Sequence, residues 1–271
     1  MTERRFRFGV VAATARDADE WCGLARRAEE LGYATFLTPD TLDTLPPLLA
    51  LSAAAAATST IRLGTFVLSV ANRPPQQVAW EVGGLGLLSA GRFELGLGAG
   101  RPDAERDAAR LGVPFGTADQ RIRRLEEVVR QVRARPGLTP GPRVLIAASG
   151  PRMLGVAARH AETVALGLPA STTEDGLAAP VHLLREAAGE GFDRLELSAG
   201  LHVVGDEVPP WLAERMGPDV PADSIAVLRG SPRQMADRLL RRRDAHQISY
   251  VTVNAMYADR LAPVVELLAG R

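Results

Sequence analysis

LLSAGRFELGLGAG, residues 87–100, is the stretch on which the fold turns. A helix ending in Leu87-Leu88-Ser89 turns at Gly91. A strand then starts at Arg92 and runs apolar into Gly96, Gly98 and Gly100. Glycine at the exit of a strand removes the Cβ that would hold main chain away from a planar ring or a phosphate. Taken alone, the loop reads better as a Gly-rich turn with no ligand, and it gains meaning only from what repeats around it. Its order is not that of a dinucleotide-binding fingerprint, which follows a first strand and opens directly into a helix. Here Arg101-Pro102-Asp103 follows instead.

The pattern around this stretch supplies the architecture. Upstream, residues 6–12 read as a buried strand. Trp21, Leu24, Ala25, Ala28 and Leu31 recur at helical spacing, with Asp19 as the cap and Gly32 as the stop. Residues 34–38 form a second strand, Pro46-Pro47 open a helix through Ala53–Ala57, 61–69 form a third strand, and a helix runs from about 76 to 89. Downstream come a helix around 122–132, strands at 144–147, 163–168, 195–204 and 248–253, and helices near 151–157, 180–190, 231–240 and 261–268. Strand and helix alternate eight times, which implies a parallel sheet and predicts one α/β domain over residues 1–271, a (β/α)8 TIM barrel. An open doubly wound sheet is the alternative; eight unbroken units favour closure. Loop excursions after strands four, six and seven (101–119, 169–180 and 205–223) are the natural substrate enclosure.

Composition narrows the chemistry. Across 271 residues, 32 basic and 32 acidic side chains cancel, which leaves no electrostatic case for nucleic acid or membrane and points to a small-molecule partner. All 32 basic residues are Arg, so Schiff-base lysine chemistry and a Walker-A lysine are excluded. Cys22 is the single cysteine, and His160, His182, His202 and His246 stand isolated, so no metal site is expected. The opening MTERRFRFGVV has too short an apolar run for a secretory signal and no segment reaches membrane-spanning length, so a cytoplasmic location is expected. Glu126-Glu127 and Arg241–Arg243 read as solvated helix faces.

In such a barrel the C-terminal strand ends hold the ligand. Ala147-Ala148-Ser149-Gly150-Pro151-Arg152 places free amides at a helix N-terminus, where the macrodipole favours a phosphate; Ser149 adds a hydroxyl and Arg152 a charge. The competing reading is a capped turn, with Ser149 as N-cap and Pro151 in the first helical position. His202, in the seventh strand, either faces the mouth or is a core histidine.

Five segments in order resemble the luciferase-like superfamily, the group of bacterial luciferase relatives and F420-dependent oxidoreductases: AEELGYATFLTPDTL (28–42), IRLGTFVLSVANRPP (61–75), LLSAGRFELGLGAG, LGVPFGTADQRIRRLEEV (111–128) and IAASGPRMLGVAARHAETV (146–164). The resemblance implies a flavin-type ring at the barrel mouth. It would rest against a bulge at Thr65-Phe66-Val67, with a non-prolyl cis peptide at Phe66–Val67. Asp40 and Thr41 would lie at the ring or its polar edge. Gly98, Ala99 and Gly100 would flank it, and Ala148, Ser149 and Gly150 would hold the cofactor phosphate. Sugar-phosphate-oxidising relatives carry His where this chain has Thr41 and Glu where it has Arg101, so their acid–base chemistry does not transfer. An anionic substrate group would have to meet Arg73, Arg101 or Arg229. The expected function is F420-dependent hydride transfer to or from a small organic substrate, with His202 and Arg101 as the candidates for polarising or protonating it. An FMN-dependent monooxygenase is the alternative, and a non-catalytic flavin- or deazaflavin-binding protein a third. Family members commonly pair, and the small residues Ala53–Ala57, Gly83, Gly84 and Gly86 would permit the close helix contact of a homodimer.

Overall fold

A computed structural model describes residues 4–101, 103–137, 140–217 and 220–271. Pro102 of the first excursion, Pro218 and Asp219 of the last, and the first three residues of the N-terminal segment lie outside the described residues. The elements in chain order are β1 (Arg7–Val11), α1 (Ala18–Glu30), β2 (Thr35–Thr38), α2 (Pro47–Ala57), β3 (Arg62–Thr65), β4 (Leu68–Ser69), α3 (Pro75–Leu88) and β5 (Phe93–Gly98). There follow α4 (Ala104–Arg110), α5 (Ala118–Arg133), β6 (Arg143–Ala148), α6 (Pro151–His160), β7 (Thr163–Leu166) and α7 (Ala178–Ala188). The chain closes with β8 (Glu196–Leu201), β9 (Val203–Val204), α8 (Pro210–Met216), β10 (Val227–Leu228), α9 (Pro232–His246), β11 (Ile248–Asn254) and α10 (Ala258–Leu268).

The main sheet runs β3-β2-β1-β11-β8-β7-β6-β5-β4, every pair parallel, and a further β3–β5 pairing closes the ring. With β3 and β4 counted as one interrupted stave, this is the expected eight-stranded (β/α)8 barrel. Helices cover its outside through an apolar layer that includes Phe8, Phe36, Leu63, Val82, Leu95, Val128 and Ile146. A second, smaller core fills the inside: Leu37, Leu145, Ala165 and Tyr250, overlaid by Val11, Phe66, Val67 and Ala147. Among the described residues no helix is long and apolar enough to cross a membrane.

The sequence reading needs correction in several places. The side chain that caps α1 is Asp17, which accepts from the Glu20 amide at 2.8 Å; Asp19 lies one position inside the helix. The third strand is not continuous but breaks at a cis Phe66–Val67 peptide. The excursions contain α4, α8 and a small β9–β10 ladder that periodicity did not mark. The arginine run is not a solvated face. Arg242 is buried against Glu174, at 2.7 and 3.0 Å, and Arg243 is buried with its guanidinium over Phe6.

The two ends of the barrel are built differently. At the N-terminal end, Arg7 spans the bore, reaching Glu94 at 2.8 Å and Glu196 at 2.9 Å. Arg62 joins Glu94 at 2.5 Å, and the Thr163 hydroxyl donates to Glu196 at 2.8 Å. The Arg7 guanidinium also lies 4.7 Å above the Tyr250 ring, whose hydroxyl meets that of Thr35. Burial pushes the Tyr250 hydroxyl well above the ordinary tyrosine range. At the opposite end the staves stop short and the loops leave open space.

Candidate active site

That space is organised by one irregularity. Gly64 pairs with Glu94 and Leu68 with Leu97, so four steps along the β3–β4 stave match three along β5, and one residue bulges. Thr65 sits behind the bulge, fully buried; its hydroxyl donates to the Gly96 carbonyl at 2.7 Å and accepts from the Gly96 amide at 2.9 Å. A Cβ on Gly96 would stand 1.9 Å from the Thr65 carbonyl oxygen, and one on Gly98 would stand 2.6 Å from Val67 Cγ2. Gly96 and Gly98 thus also make room for the neighbouring strand, a role the sequence reading did not give them. Their missing side chains let the bulge push Phe66 and Val67 toward the axis.

Three adjoining cavities, of about 370, 410 and 340 Å³, surround the bulge, and Phe66 and Arg101 border all of them. The 410 Å³ cavity gathers most of the sequence-predicted residues: Asp40, Thr41, Phe66, Val67, Gly98, Ala99, Gly100, Arg101, Ala148 and Ser149. Most of the wall of this slot is glycine, alanine, serine, threonine and valine, with Phe66 and Met153 as its large apolar members and Asp40 and Arg101 as its charged ones. Thr65 and Gly150 do not line it. Asp40 is already engaged: its carboxylate accepts from Arg73 at 2.6 and 3.1 Å and from the Ser69 amide at 2.9 Å. Arg73 is therefore committed to Asp40 and not available to a substrate anion. The Ala99 carbonyl accepts from Arg121 at 2.7 Å, and the Arg121 guanidinium lies 4.0 Å over the Phe115 ring, which pins the start of the first excursion.

At the far end of the slot α6 begins. Its N-cap is Gly150, at φ 99°, with no side-chain cap; Ser149 is exposed one residue earlier. This corrects the capped-turn reading, because the first-turn amides of α6 have no side-chain acceptor. Arg152 contributes no charge there: it forms an ion pair with Asp119.

His202 lies in the joint between β8 and β9, not within a strand, and it is exposed, so the core-histidine reading falls. Its amide donates to the Ala226 carbonyl at 2.7 Å, and its side chain borders both the 370 and the 340 Å³ cavities. Arg101 is exposed, and its guanidinium has no carboxylate or hydrogen-bond partner among the described residues. The outer wall is braced by Glu174, which holds Arg238 at 2.7 Å while Arg238 also donates to the carbonyls of Asp223, Ser224 and Val227. Burial opposes ionisation of Glu174, but the paired Arg242 and Arg238 outweigh it and hold its carboxyl below the usual range.

Sequence reasoning missed Ser69, Trp211 and Met256. The Ser69 hydroxyl is buried at the border of the slot with no hydrogen-bond partner, and the Asn72 side-chain carbonyl nearby in sequence is unpaired too. Orphaned buried polar atoms are uncommon, and ones at a cavity mark where a ligand completes the bonding. Trp211 and Met256 line the 370 Å³ cavity at 53% and 51% exposure. The available signal was two large apolar residues in or beside a loop excursion.

The molecule is an eight-stranded parallel barrel with a slot at its C-terminal mouth, a bulge beneath it and, at one end, a helix N-terminus without a side-chain cap. The profile of the luciferase-like monooxygenase family matches residues 5–209, and the chain belongs to that family. An uncharacterized protein of Mycobacterium tuberculosis is 31% identical over 142 residues, covering 44% of this chain and 46% of that protein. The chain thus spans under half the length of the curated relative it matches. Among solved structures, the coenzyme F420-dependent tetrahydromethanopterin reductase of Methanopyrus kandleri superposes with a TM-score of 0.77 at 18% identity, over 98% of this chain and 99% of that one. The oxygenating constituent of the 3,6-diketocamphane monooxygenase of Pseudomonas putida, a type II Baeyer–Villiger monooxygenase solved with FMN, gives 0.75 at 14% identity over 98% of each chain.

Proposed function

We propose that this protein is a cytoplasmic oxidoreductase that binds cofactor F420 in the 410 Å³ slot and moves a hydride between the deazaflavin and a small organic substrate. One observation carries the reading: Val67, Gly98, Ala99, Ala148 and Ser149, drawn from three different strands and their loops, line a single slot. A tricyclic ring fits a space walled mostly by small side chains, and the orphaned Ser69 hydroxyl offers a bond to its polar edge. Ser149 and the uncapped amides of α6 would hold the phosphate. When bound, the deazaflavin supplies two-electron hydride chemistry. The protein's part is to seat the ring on Val67, present substrate from the adjoining cavities and exclude water; Arg101 and His202 are placed to polarise or protonate the substrate. The slot's one carboxylate is committed to Arg73, which suits a hydride transfer that needs no acid–base pair at the ring.

An FMN monooxygenase is the second reading, favoured by the near-equal likeness to the FMN-bound Pseudomonas structure. Absorption titrations with F420 and with FMN, followed by oxygen uptake with each cofactor reduced, separate the two. F420 binding without oxygen consumption is the expected result. FMN binding with oxygen uptake replaces it with the second reading, and binding without turnover over a broad substrate panel replaces it with a carrier role.

We also propose a homodimer formed through α2 and α3. Leu49, Trp80, Leu87 and Leu88 stand 66–82% exposed on these helices, α2 carries no charged residue and α3 carries only Glu81. A face so poor in charge meets its own copy across a two-fold axis without repulsion. Sedimentation equilibrium is expected to show a dimer that Leu87→Glu dissociates; a monomeric native chain disproves it.

A further inference from the structure

The 370 Å³ cavity has a chemical character that the slot lacks. No Asp or Glu lines it, its formal cation is Arg101, and His202 adds a second donor. The other arginines that the sequence offered to a substrate anion are engaged, Arg73 by Asp40 at 2.6 Å and Arg229 by Asp206 at 3.7 Å. Arg101 has neither carboxylate nor hydrogen-bond partner among the described residues, and it lines a chamber whose wall includes Trp211 and Leu212 of α8. A guanidinium in such a place pairs best with a planar oxyanion, bidentately. The rest of the wall joins the polar Thr41, Thr44, Thr252 and Asn254 to an apolar part, and two exposed large hydrophobics, Trp211 and Met256, belong to that apolar part. The volume lies at the small end of ordinary ligand pockets.

We propose that this chamber takes an organic carboxylate as substrate, its carboxylate on Arg101 and its aromatic or alicyclic body against Trp211 and Met256. The assignment rests on the cofactor reading for one point only, that the substrate reacts across the shared Phe66–Arg101 wall with a ring held in the slot. Carboxylate recognition by the chamber is measurable without any cofactor.

The chain contains three tryptophans: Trp21 is buried, Trp80 lies on the outer helix face and Trp211 lies in the chamber. In the full chain carrying Trp80→Phe, Trp21 still emits but is buried away from the probe, so a change in fluorescence on titration reports Trp211. Cyclohexanecarboxylate and its neutral isostere cyclohexanecarboxamide are the probes, titrated at low salt. The carboxylate is expected to bind about tenfold tighter than the amide, as a charge-assisted bidentate bond requires. Arg101→Gln should erase that preference, Arg101→Lys should keep part of it, and added salt should shrink it. Equal affinity for the two probes, a preference that survives Arg101→Gln, or no response of Trp211 to millimolar carboxylate overturns the proposal. So does an Arg101→Gln variant that loses F420 or FMN affinity while keeping the carboxylate preference, because the cation then serves the cofactor. F420 and FMN titrations run alongside: if neither binds while the carboxylate preference is intact, the cofactor reading fails and the chamber assignment stands.

Discussion

The two ends of this barrel are made from the same staves and solve opposite problems. At the N-terminal end every charge found in the bore is answered: Arg7 bridges Glu94 and Glu196, Arg62 doubles the contact to Glu94, and a tyrosine hydroxyl meets a threonine. At the C-terminal end the strands carry small residues, one stave bulges, two glycines absorb the bulge, the buried Ser69 hydroxyl and Asn72 carbonyl are left with no partner, and Arg101 stands exposed. Stability is concentrated where polar groups are satisfied, and binding where they are not. A barrel separates the two because its ends lie a strand length apart and are joined by a dry core.

Breaking the closed end should produce the largest effect. Glu94→Gln removes the anion shared by Arg7 and Arg62, leaving Arg7 with Glu196 alone and the partly exposed Arg62 with no carboxylate. We expect a loss of about 2–3 kcal/mol, below the range for an uncompensated buried charge because Glu196 and solvent answer part of the lost anion, read as a lower midpoint in urea unfolding. Cofactor affinity of the molecules still folded should not change. A loss of affinity with stability intact would invert the comparison.

At the boundary between the ends, Gly96→Ala should affect both properties. The added methyl meets the Thr65 carbonyl, which is backbone and cannot swing away. A destabilisation of about 1–3 kcal/mol is expected for such overpacking. Because relief requires the bulge to move, F420 or FMN affinity should fall as well. Gly84→Ala, inside α3 where a Cβ would meet nothing within 4 Å, is the control: cofactor affinity should stay unchanged and stability should rise by about 0.5–1 kcal/mol through helix propensity. Loss of stability without loss of affinity would show that the bulge does not shape the slot.

The sequence made the repeat legible and left the divisions within it obscure. Eight alternations of a strand period with a helix period are strong enough to read, and so was closure, because eight units follow one another without a break. The bulge was legible only through resemblance. Nothing in Thr65-Phe66-Val67 says that the register slips, since slippage is a relation between two strands. The same limit explains the arginine run: Arg242 looks solvated along its own helix and is buried by Glu174 from a loop 68 residues away. It also explains Gly96 and Gly98, whose crowding by the neighbouring strand the glycine pattern alone did not show. Local pattern reports what a residue is. What faces it is decided by topology, and in this molecule charge partners come from across the barrel more often than from the next turn.

Ser69→Ala gives the smallest effect and the sharpest distinction between the ends. The hydroxyl makes no bond within the protein and is buried, so its removal costs no intramolecular hydrogen bond and relieves a group that water cannot reach. Stability without cofactor should therefore stay level or rise slightly, the reverse of what a buried serine with a partner would show. The Ser69 amide still donates to Asp40, so the rim that holds Arg73 stays in place. If the hydroxyl exists to meet the ring, cofactor affinity should fall by about two- to tenfold, the worth of a single neutral hydrogen bond. Thermal shifts measured with and without F420 or FMN read both quantities on one sample. A variant that loses stability without cofactor would place Ser69 with the satisfied groups of the closed end. One that keeps both stability and affinity would make its missing partner a packing accident, and the open end would then owe its shape to the glycines and the bulge alone.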